Sequence, residues 1–128
     1  PVVVAERGDR VVGYASLSPF AARGGYLASA EISVYVDEHA RGTGVGRSLV
    51  AALHEHAEQA NFSTVLALIT ATNTVSRRLF ASAGYRENGV IERIGVKHGR
   101  LIYLVVLQRF FAFDHDRHHA VTLGRAQT

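Results

Sequence analysis

The sequence predicts a single α/β domain built around a mixed β-sheet. Apolar, β-branched runs of strand length alternate with two segments of helical periodicity. Hairpin-like pairs of strands stand towards both ends of the chain, and a strand–helix–strand unit lies between them. A length of 128 residues and a hydrophobic content of 48% suit one core that needs no disulfide or metal to hold it.

The first half of the chain begins with a predicted hairpin. Residues 2–5 and 11–17 are its strands, and a Gly-Asp turn at residues 7–10 joins them. Residues 30–36, rich in Ile, Val and Tyr, form a third strand. Residues 45–60 are the clearest helix. Its apolar residues recur at helical spacing: Val45, Leu49, Leu53 and Ala57.

The second half continues with an apolar run at residues 64–69, which predicts a central strand, parallel to its neighbour and covered on both faces. A second helix at residues 73–83 is capped by Asn73 or Thr74 and stopped by Gly84. Two further strands follow at residues 85–94 and 101–110. We expect a domain over residues 1–113 and an irregular tail over residues 114–128.

Composition excludes several classes of function. The chain has no cysteine, so disulfides, thiolate metal sites and a cysteine nucleophile are impossible. No apolar run is long enough to span a membrane and no signal peptide is visible, so we expect a cytoplasmic protein without a membrane partner. His115, His118 and His119 lie close together near the end of the chain, but we expect no metal site there.

The net charge of +3 and the pI near 9.7 favour an anionic partner. Nucleic acid, acidic substrates and a multiply phosphorylated cofactor remain open. Apart from the pair Arg77 and Arg78, the arginines are scattered rather than clustered, as solvated surface charges are. We therefore expect no nucleic-acid partner, although a basic nucleic-acid module remains an alternative. Cofactor phosphates could account for Arg41, Arg47 and either Arg77 or Arg78.

A glycine-rich loop between the third strand and the first helix is the most informative motif. It reads Arg-x-x-Gly-x-Gly and begins at Arg41, with Gly44 and Gly46 leading into the helix. Glycines expose backbone N–H groups, and a helix N-terminus adds its own unpaired donors, so such a loop binds phosphate or pyrophosphate. The dinucleotide fingerprint fails because Arg47 stands at its third glycine, and a P-loop fails at Arg41 and Arg47. A turn that needs glycine only for its geometry is the alternative.

Four further segments follow a characteristic order and spacing relative to this loop. They are Glu31-Ile-Ser-Val-Tyr-Val36, Ile69-Thr-Ala-Thr-Asn73, Leu79-Phe-Ala-Ser-Ala-Gly-Tyr85 and Lys97-His-Gly-Arg100. Together with the loop they resemble the phosphinothricin acetyltransferase branch of the GNAT superfamily of coenzyme A-dependent N-acetyltransferases. The resemblance covers nearly the whole chain to about Gln108. It implies a GNAT-like acyl-CoA N-acyltransferase fold, here lacking the first strand and two helices that normally wall the acceptor pocket.

The resemblance also implies acetyl-CoA as acyl donor and names the residues that hold it. The third strand splays from its parallel neighbour and the pantetheine lies in the gap. A backbone N–H near Val34 or Val36 then holds the oxyanion. Asn73, with Ser76 nearby, contacts the pantetheine; a plain helix cap is the other interpretation of Asn73. The implied cofactor-binding residues are Val34, Tyr35, Val36, Arg41, Gly42, Thr43, Gly44, Val45, Gly46, Arg47, Asn73 and Ser76.

The resemblance makes Glu31 the catalytic base. An ammonium must lose a proton before it attacks a thioester, so the site needs an acceptor. We expect Glu31 to be buried beside Tyr26 and Tyr35; a strand-end glutamate facing water is the alternative. Arg23, Tyr26 and Tyr35 match acceptor-facing positions. Arg23 could instead be a solvated loop charge, and Tyr35 could be packed core.

One position departs from the family pattern. Phe80 stands where many GNAT enzymes carry a tyrosine, or this branch a histidine, that protonates the leaving thiolate. We expect an N-acetyltransferase acting on a small amino-acid-like amine of the phosphinothricin or methionine sulfoximine type, and a homodimer. The alternatives are a catalytically impaired acyl-CoA-binding module and an enzyme acting on protein N-terminal or lysine amines.

Overall fold

A computed structural model describes residues 1–20 and 28–116. In this part of the chain, six strands and two α-helices follow one another in the predicted order. A short 3₁₀ turn at Glu38–Ala40 precedes the first helix. The elements are β1 (Val2–Arg7), β2 (Arg10–Pro19), β3 (Ser29–Val36), α1 (Val45–Gln59), β4 (Thr64–Thr70), α2 (Thr74–Ser82), β5 (Arg86–Lys97) and β6 (Arg100–Phe110).

The strands form one mixed sheet in the order β1-β2-β3-β4-β6-β5. Only β3 and β4 pair in parallel among the described strands, and every other neighbouring pair is antiparallel. The predicted arrangement of hairpins flanking a parallel strand–helix–strand unit is therefore confirmed. β4 lies in the middle of the sheet, as its apolar sequence indicated.

The core lies on one face of this sheet. Alternate residues of the central strands, such as Ile32 and Val65, pack against the helices, with Leu53 of α1 and Phe80 of α2 in the same cluster. The prediction that β4 is covered on both faces is wrong for the described residues. Val65 and Ala67 are buried, whereas the residues between and after them are only half-buried, because both helices pack on the same side.

Every element differs from its predicted range by one to three residues at one end or both. α1 ends at Gln59, one residue early, and α2 begins at Thr74 because Asn73 is its cap. β5 begins at Arg86 and runs on to Lys97. Tyr85, predicted to open β5, belongs instead to the turn that ends α2, since its N–H donates to the Phe80 carbonyl at 3.0 Å.

The tail is described only as far as residue 116. Asn61 ties its first residues to the domain, because its amide exchanges two hydrogen bonds with the backbone of Asp114, at 2.8 and 2.9 Å. The remaining tail residues, including His118 and His119, lie outside the described part of the chain. Within that part, neither helix combines the length and apolarity needed to cross a membrane.

Candidate active site

The site begins where β3 and β4 separate. Their parallel ladder has three residue pairs, Ser29–Thr64, Ala30–Val65 and Glu31–Leu66. Both strands continue beyond it, β3 to Val36 and β4 to Thr70, but they no longer pair with each other. The gap therefore offers strand-edge backbone groups that do not pair across it, and of these the Val36 carbonyl accepts a hydrogen bond from Arg41 Nε at 3.4 Å.

A groove of about 790 Å³ opens at the carboxyl ends of these strands, between the glycine loop and α2. It includes three arginines, and none of the described residues that line it is acidic. The lining residues are Val34, Tyr35, Val36, Ala40, Arg41, Gly42, Gly44, Val45, Gly46, Arg47, Asn73, Val75, Ser76, Arg78, Leu79 and Ser82. All but one of the predicted cofactor-binding residues are among them, and Thr43 is the exception.

The loop leaves the N-terminus of α1 open. Gly42 and Gly44 have φ angles of 77° and 88°, in the left-handed region that favours glycine. Gly44 is the N-cap of α1 and has no side chain to bond the first-turn N–H groups. Gly46 lies so close to α2 that an added Cβ would meet a Leu79 methyl at 3.2 Å. The loop therefore presents free helix donors and the positive end of the dipole to the groove.

Contacts with the β1–β2 hairpin hold the loop in place. Arg7 Nη2 donates to Thr43 Oγ1 at 3.2 Å, and the Thr43 hydroxyl donates to the Ala40 carbonyl. Arg10 forms an ion pair with Asp37 at 3.1 Å, just before the loop. These bonds explain why Thr43 is absent from the groove: its side chain braces the loop from behind.

The second wall of the groove comes from α2. Asn73 caps this helix, since its side chain accepts a hydrogen bond from the Ser76 N–H at 3.1 Å. Sequence reasoning placed Asn73 and Ser76 here and left Arg78 open, but missed three lining residues of the same helix: Val75, Leu79 and Ser82. The three-residue spacing of Asn73, Ser76, Leu79 and Ser82 was the available signal, because residues three apart share a helix face.

The two adjacent arginines of α2 have different partners. Arg77 donates to both carboxylate oxygens of Glu87, at 2.7 and 3.0 Å, and to the Ala71 carbonyl at 2.6 Å. The hydrogen bond to Glu87 raises the pKa of Arg77 and lowers that of Glu87. Arg78 lines the groove instead. Of the two arginines that the sequence left open, the structure therefore places Arg78 in the groove, on its α2 wall.

Glu31 lies at the point where the strands separate. It forms the last β3–β4 pair with Leu66 and is half-buried. It is not close to Tyr35 as expected, because four residues of extended strand separate them by roughly 13 Å. Tyr35 is 50% exposed, so the packed-core interpretation of this residue is wrong, and its ring lies 5.4 Å from that of Tyr14. Arg23 and Tyr26 lie outside the described residues.

Phe80 belongs to the core rather than to the groove. It is 1% exposed, and its ring packs edge-on against Tyr85 at 5.0 Å. A hydrocarbon ring has no proton to donate. Among the described residues that line the groove, Tyr35 is the only phenol and none is a histidine.

A separate polar cluster is buried beneath α1. His54 contacts the Tyr85 hydroxyl through Nε2 at 2.8 Å and the Arg109 guanidinium through Nδ1. Burial, and then the charge of Arg109, lower the pKa of His54 to about 4. Burial also raises the pKa of Tyr85. This cluster is neutral at His54 and fully hydrogen-bonded, so it fixes α1 to β6 rather than binding a ligand.

Of His115, His118 and His119, where no metal site is expected, only His115 lies in the described part of the chain. In residues 1–20 and 28–116, no three histidine or carboxylate side chains are arranged to hold a metal ion. His115, the one described member of the predicted trio, packs against the Phe113 ring at 4.8 Å.

Comparison with known proteins places this geometry in a family. The family model described as Acetyltransferase (GNAT) family matches residues 1–85. The phosphinothricin N-acetyltransferase of Alcaligenes faecalis is 36% identical over 110 residues, covering 85% of this chain and 56% of its own. This chain therefore spans little more than half the length of that relative.

Two solved structures share the fold. A GNAT superfamily phosphinothricin acetyltransferase from Sinorhizobium meliloti, in complex with acetyl-CoA, superposes with a TM-score of 0.83 at 32% identity, covering 88% of this chain and 61% of its own. A ribosomal-protein-alanine N-acetyltransferase from Brucella melitensis gives 0.83 at 43% identity, with coverages of 87% and 68%. With its splayed parallel strands and glycine loop, this chain belongs to the acetyltransferase (GNAT) family.

Proposed function

We propose that the protein is an acetyl-CoA-dependent N-acetyltransferase. The observation that carries this function is the uncapped N-terminus of α1, which opens into an arginine-lined groove at the head of the β3–β4 gap. A helix N-terminus with free N–H groups and nearby guanidinium groups binds phosphate esters. A strand-edge gap leading away from it suits the amide-bearing arm of coenzyme A.

The groove fits the parts of acetyl-CoA in order. Arg41, Arg47 and the loop backbone are the groups that would hold the pyrophosphate. Val34 and Val36 lie on the β3 edge, where backbone groups would pair with the pantetheine. Asn73 and Ser76 face this arm from the opposite wall. The apolar Leu79 lies between the two walls, against Gly46.

The chemistry assigned to the chain is the movement of one proton and the stabilisation of one charge. When bound, acetyl-CoA would supply the acetyl group as a thioester: a neutral amine attacks the carbonyl carbon, the C–S bond breaks, and the coenzyme A thiolate leaves and takes a proton from water. Glu31 is the proposed base that takes the proton of the acceptor ammonium, directly or through water. Its place at the end of the β3–β4 ladder supports this role. A backbone N–H near Val34 or Val36 is the proposed donor to the developing oxyanion.

Two acceptor classes are favoured by different relatives. The Alcaligenes protein is named for phosphinothricin, which favours a small amino-acid-like amine as the acceptor. The Brucella structure, at 43% identity, is named for ribosomal-protein alanine, which favours a protein N-terminal amine instead. Arg23 and Tyr26 remain predicted acceptor-binding residues, as does Tyr35, which lines the groove.

The first experiment is calorimetric titration of the chain with acetyl-CoA, with ATP and NADH as controls. We expect selective binding near one equivalent. Turnover is then measured with phosphinothricin, methionine sulfoximine and a peptide with an N-terminal alanine. Binding without turnover of any amine would identify a catalytically impaired acyl-CoA-binding module. Absence of binding by a folded sample would refute the proposed function.

The role of Glu31 is tested by Glu31→Gln. We expect acetyl-CoA affinity to be retained and turnover to fall about 10²- to 10⁴-fold, the usual contribution of a general base. Glu55→Gln is the matched control, since Glu55 is exposed on α1 and outside the groove. Unchanged turnover in the Glu31 variant would remove the assignment of the base.

A second copy of the chain is the proposed partner of the β5–β6 hairpin. β5 is an edge strand, and its apolar side chains include Val90 at 56%, Ile94 at 55% and Val96 at 68% exposure. An exposed apolar edge of this kind favours pairing with another strand. Sedimentation equilibrium that gives the mass of a monomer would exclude the homodimer.

The cytoplasmic location stays a prediction.

A further inference from the structure

We infer that Arg78 is a specificity-determining residue that recognises the 3′-phosphate of coenzyme A. This inference rests on the proposed function, since it assigns one part of the same cofactor. Coenzyme A carries a pyrophosphate and, on its ribose, a separate 3′-phosphate. The groove correspondingly has two arginines that flank the N-terminus of α1 and a third on the opposite wall.

The fold of α2 directs Arg78 to the groove. Arg77 is held towards β5 by its two bonds to Glu87 and its bond to the Ala71 carbonyl. Consecutive residues of an α-helix point about 100° apart, so this clamp on Arg77 turns Arg78 to a different side. Val75, three residues earlier, and Ser82, four residues later, lie on the same face as Arg78 and also line the groove.

Arg78 is available to a ligand. It is exposed, and it has no hydrogen-bond or ion-pair partner in residues 1–20 and 28–116. The Ser82 hydroxyl, by contrast, already donates to the Leu79 carbonyl at 2.7 Å. Arg78 is therefore the cationic group that the second wall presents, and no acidic side chain among the described lining residues neutralises it.

The position of Arg78 distinguishes it from the pyrophosphate arginines. Arg41 and Arg47 flank the open N-terminus of α1, where the loop N–H groups already favour the pyrophosphate. Arg78 lies on α2, the opposite wall of the groove, and is not part of the loop whose N–H groups surround the α1 N-terminus. A guanidinium placed there suits a second anionic group of the same molecule.

The test is a comparison of coenzyme A with dephospho-coenzyme A, which lacks only the 3′-phosphate, by calorimetry. We expect the unmodified chain to bind coenzyme A about tenfold more tightly, the value of one charge-assisted contact. In Arg78→Gln this preference disappears, so that the two ligands bind with about equal affinity, whereas the affinity for dephospho-coenzyme A stays unchanged. Arg86→Gln is the control, since Arg86 lies over the Phe110 ring and outside the groove.

The outcomes separate the inference from the proposed function. Equal loss of affinity for both ligands in Arg78→Gln would assign Arg78 to the pyrophosphate and overturn the inference. Retention of the tenfold preference would overturn it as well. If neither ligand binds the unmodified chain, it is the proposed function that fails. Because Arg78 is exposed, the variant is expected to fold, and circular dichroism confirms this before the titrations.

Discussion

The two helices begin at the same edge of the sheet, but their N-termini are capped differently. α1 starts at Gly44, which has no capping side chain, whereas α2 starts at Asn73, whose side chain bonds the Ser76 N–H. α2 therefore satisfies one of its own first-turn donors, while α1 leaves its donors to the groove. The difference shows which helix is built to bind an anion and which one serves as a wall.

The largest effect is expected from an acidic side chain at the open terminus. Gly44→Asp places a carboxylate where the pyrophosphate is proposed to lie. Two like charges about 5 Å apart at an effective dielectric constant near 20 repel by about 3 kcal/mol, so acetyl-CoA affinity should fall at least about 100-fold in calorimetry.

Gly8→Asp is the matched control for this substitution. Both glycines have positive φ, 68° for Gly8 and 88° for Gly44, and neither has an atom within 4 Å of an added Cβ. The backbone strain is therefore similar, but Gly8 lies in the β1–β2 turn outside the groove. A similar loss of affinity in both variants would show that loop strain, rather than charge at the α1 terminus, is responsible.

The polar contacts that attach the two helices to the rest of the domain should also respond differently to acid. They are those of His54 for α1 and the Arg77–Glu87 ion pair for α2. His54 of α1 has a pKa of about 4 in the folded state against 6.5 ordinarily, so in that interval the unfolded state binds more protons. The stability that neutral His54 provides is complete above pH 6.5 and is lost as the pH falls towards 4. We expect the free energy of unfolding to drop by roughly 2 to 3 kcal/mol over this range.

The α2 anchor behaves differently, because Arg77 lowers the pKa of Glu87 below its ordinary 4.5. Its contribution persists until the pH falls below that value. Urea unfolding between pH 7 and 4.5 therefore reports on α1 selectively. His54→Gln should flatten the pH dependence of the free energy of unfolding. His56→Gln should not, because His56 is exposed on the same helix. An identical slope in all three proteins would contradict the assignment.

The smallest effect is expected at the closed terminus. Asn73→Ala removes the cap of α2 and should lower the free energy of unfolding by about 1 kcal/mol. Asn73→Asp keeps an acceptor for the Ser76 N–H and should restore most of that stability. If Asn73 also donates to the pantetheine, the Asp variant will still bind acetyl-CoA less tightly, which distinguishes cap from contact in one pair of measurements.

The part of the site formed by one continuous segment was predictable from sequence. The apolar run of β3, the arginine–glycine loop and the start of α1 lie within residues 29–47, and their local spacing indicates both geometry and chemistry. Asn73 could likewise be placed as a cap, because capping acts over three residues.

The remainder depends on contacts between distant segments. Thr43 turns away from the groove because Arg7, 36 residues earlier, binds its hydroxyl. Arg78 rather than Arg77 faces the groove because Glu87 clamps its neighbour. His54 joins Tyr85 and Arg109, which are 31 and 55 residues away. Periodicity in one sequence does not reveal such pairings, nor does it show that β4 is covered on one face.

The short β3–β4 ladder is the place where the two antiparallel parts of the sheet meet. α1 packs mainly on β1, β2 and β3 and α2 on β4 and β5, while His54 also joins α1 to Arg109 of β6. The two halves share a continuous backbone ladder over only three residue pairs, all at one end. Beyond Glu31 and Leu66 the facing edges of β3 and β4 share no ladder, so a molecule lying along both edges would supply the hydrogen bonds that continue the sheet between them.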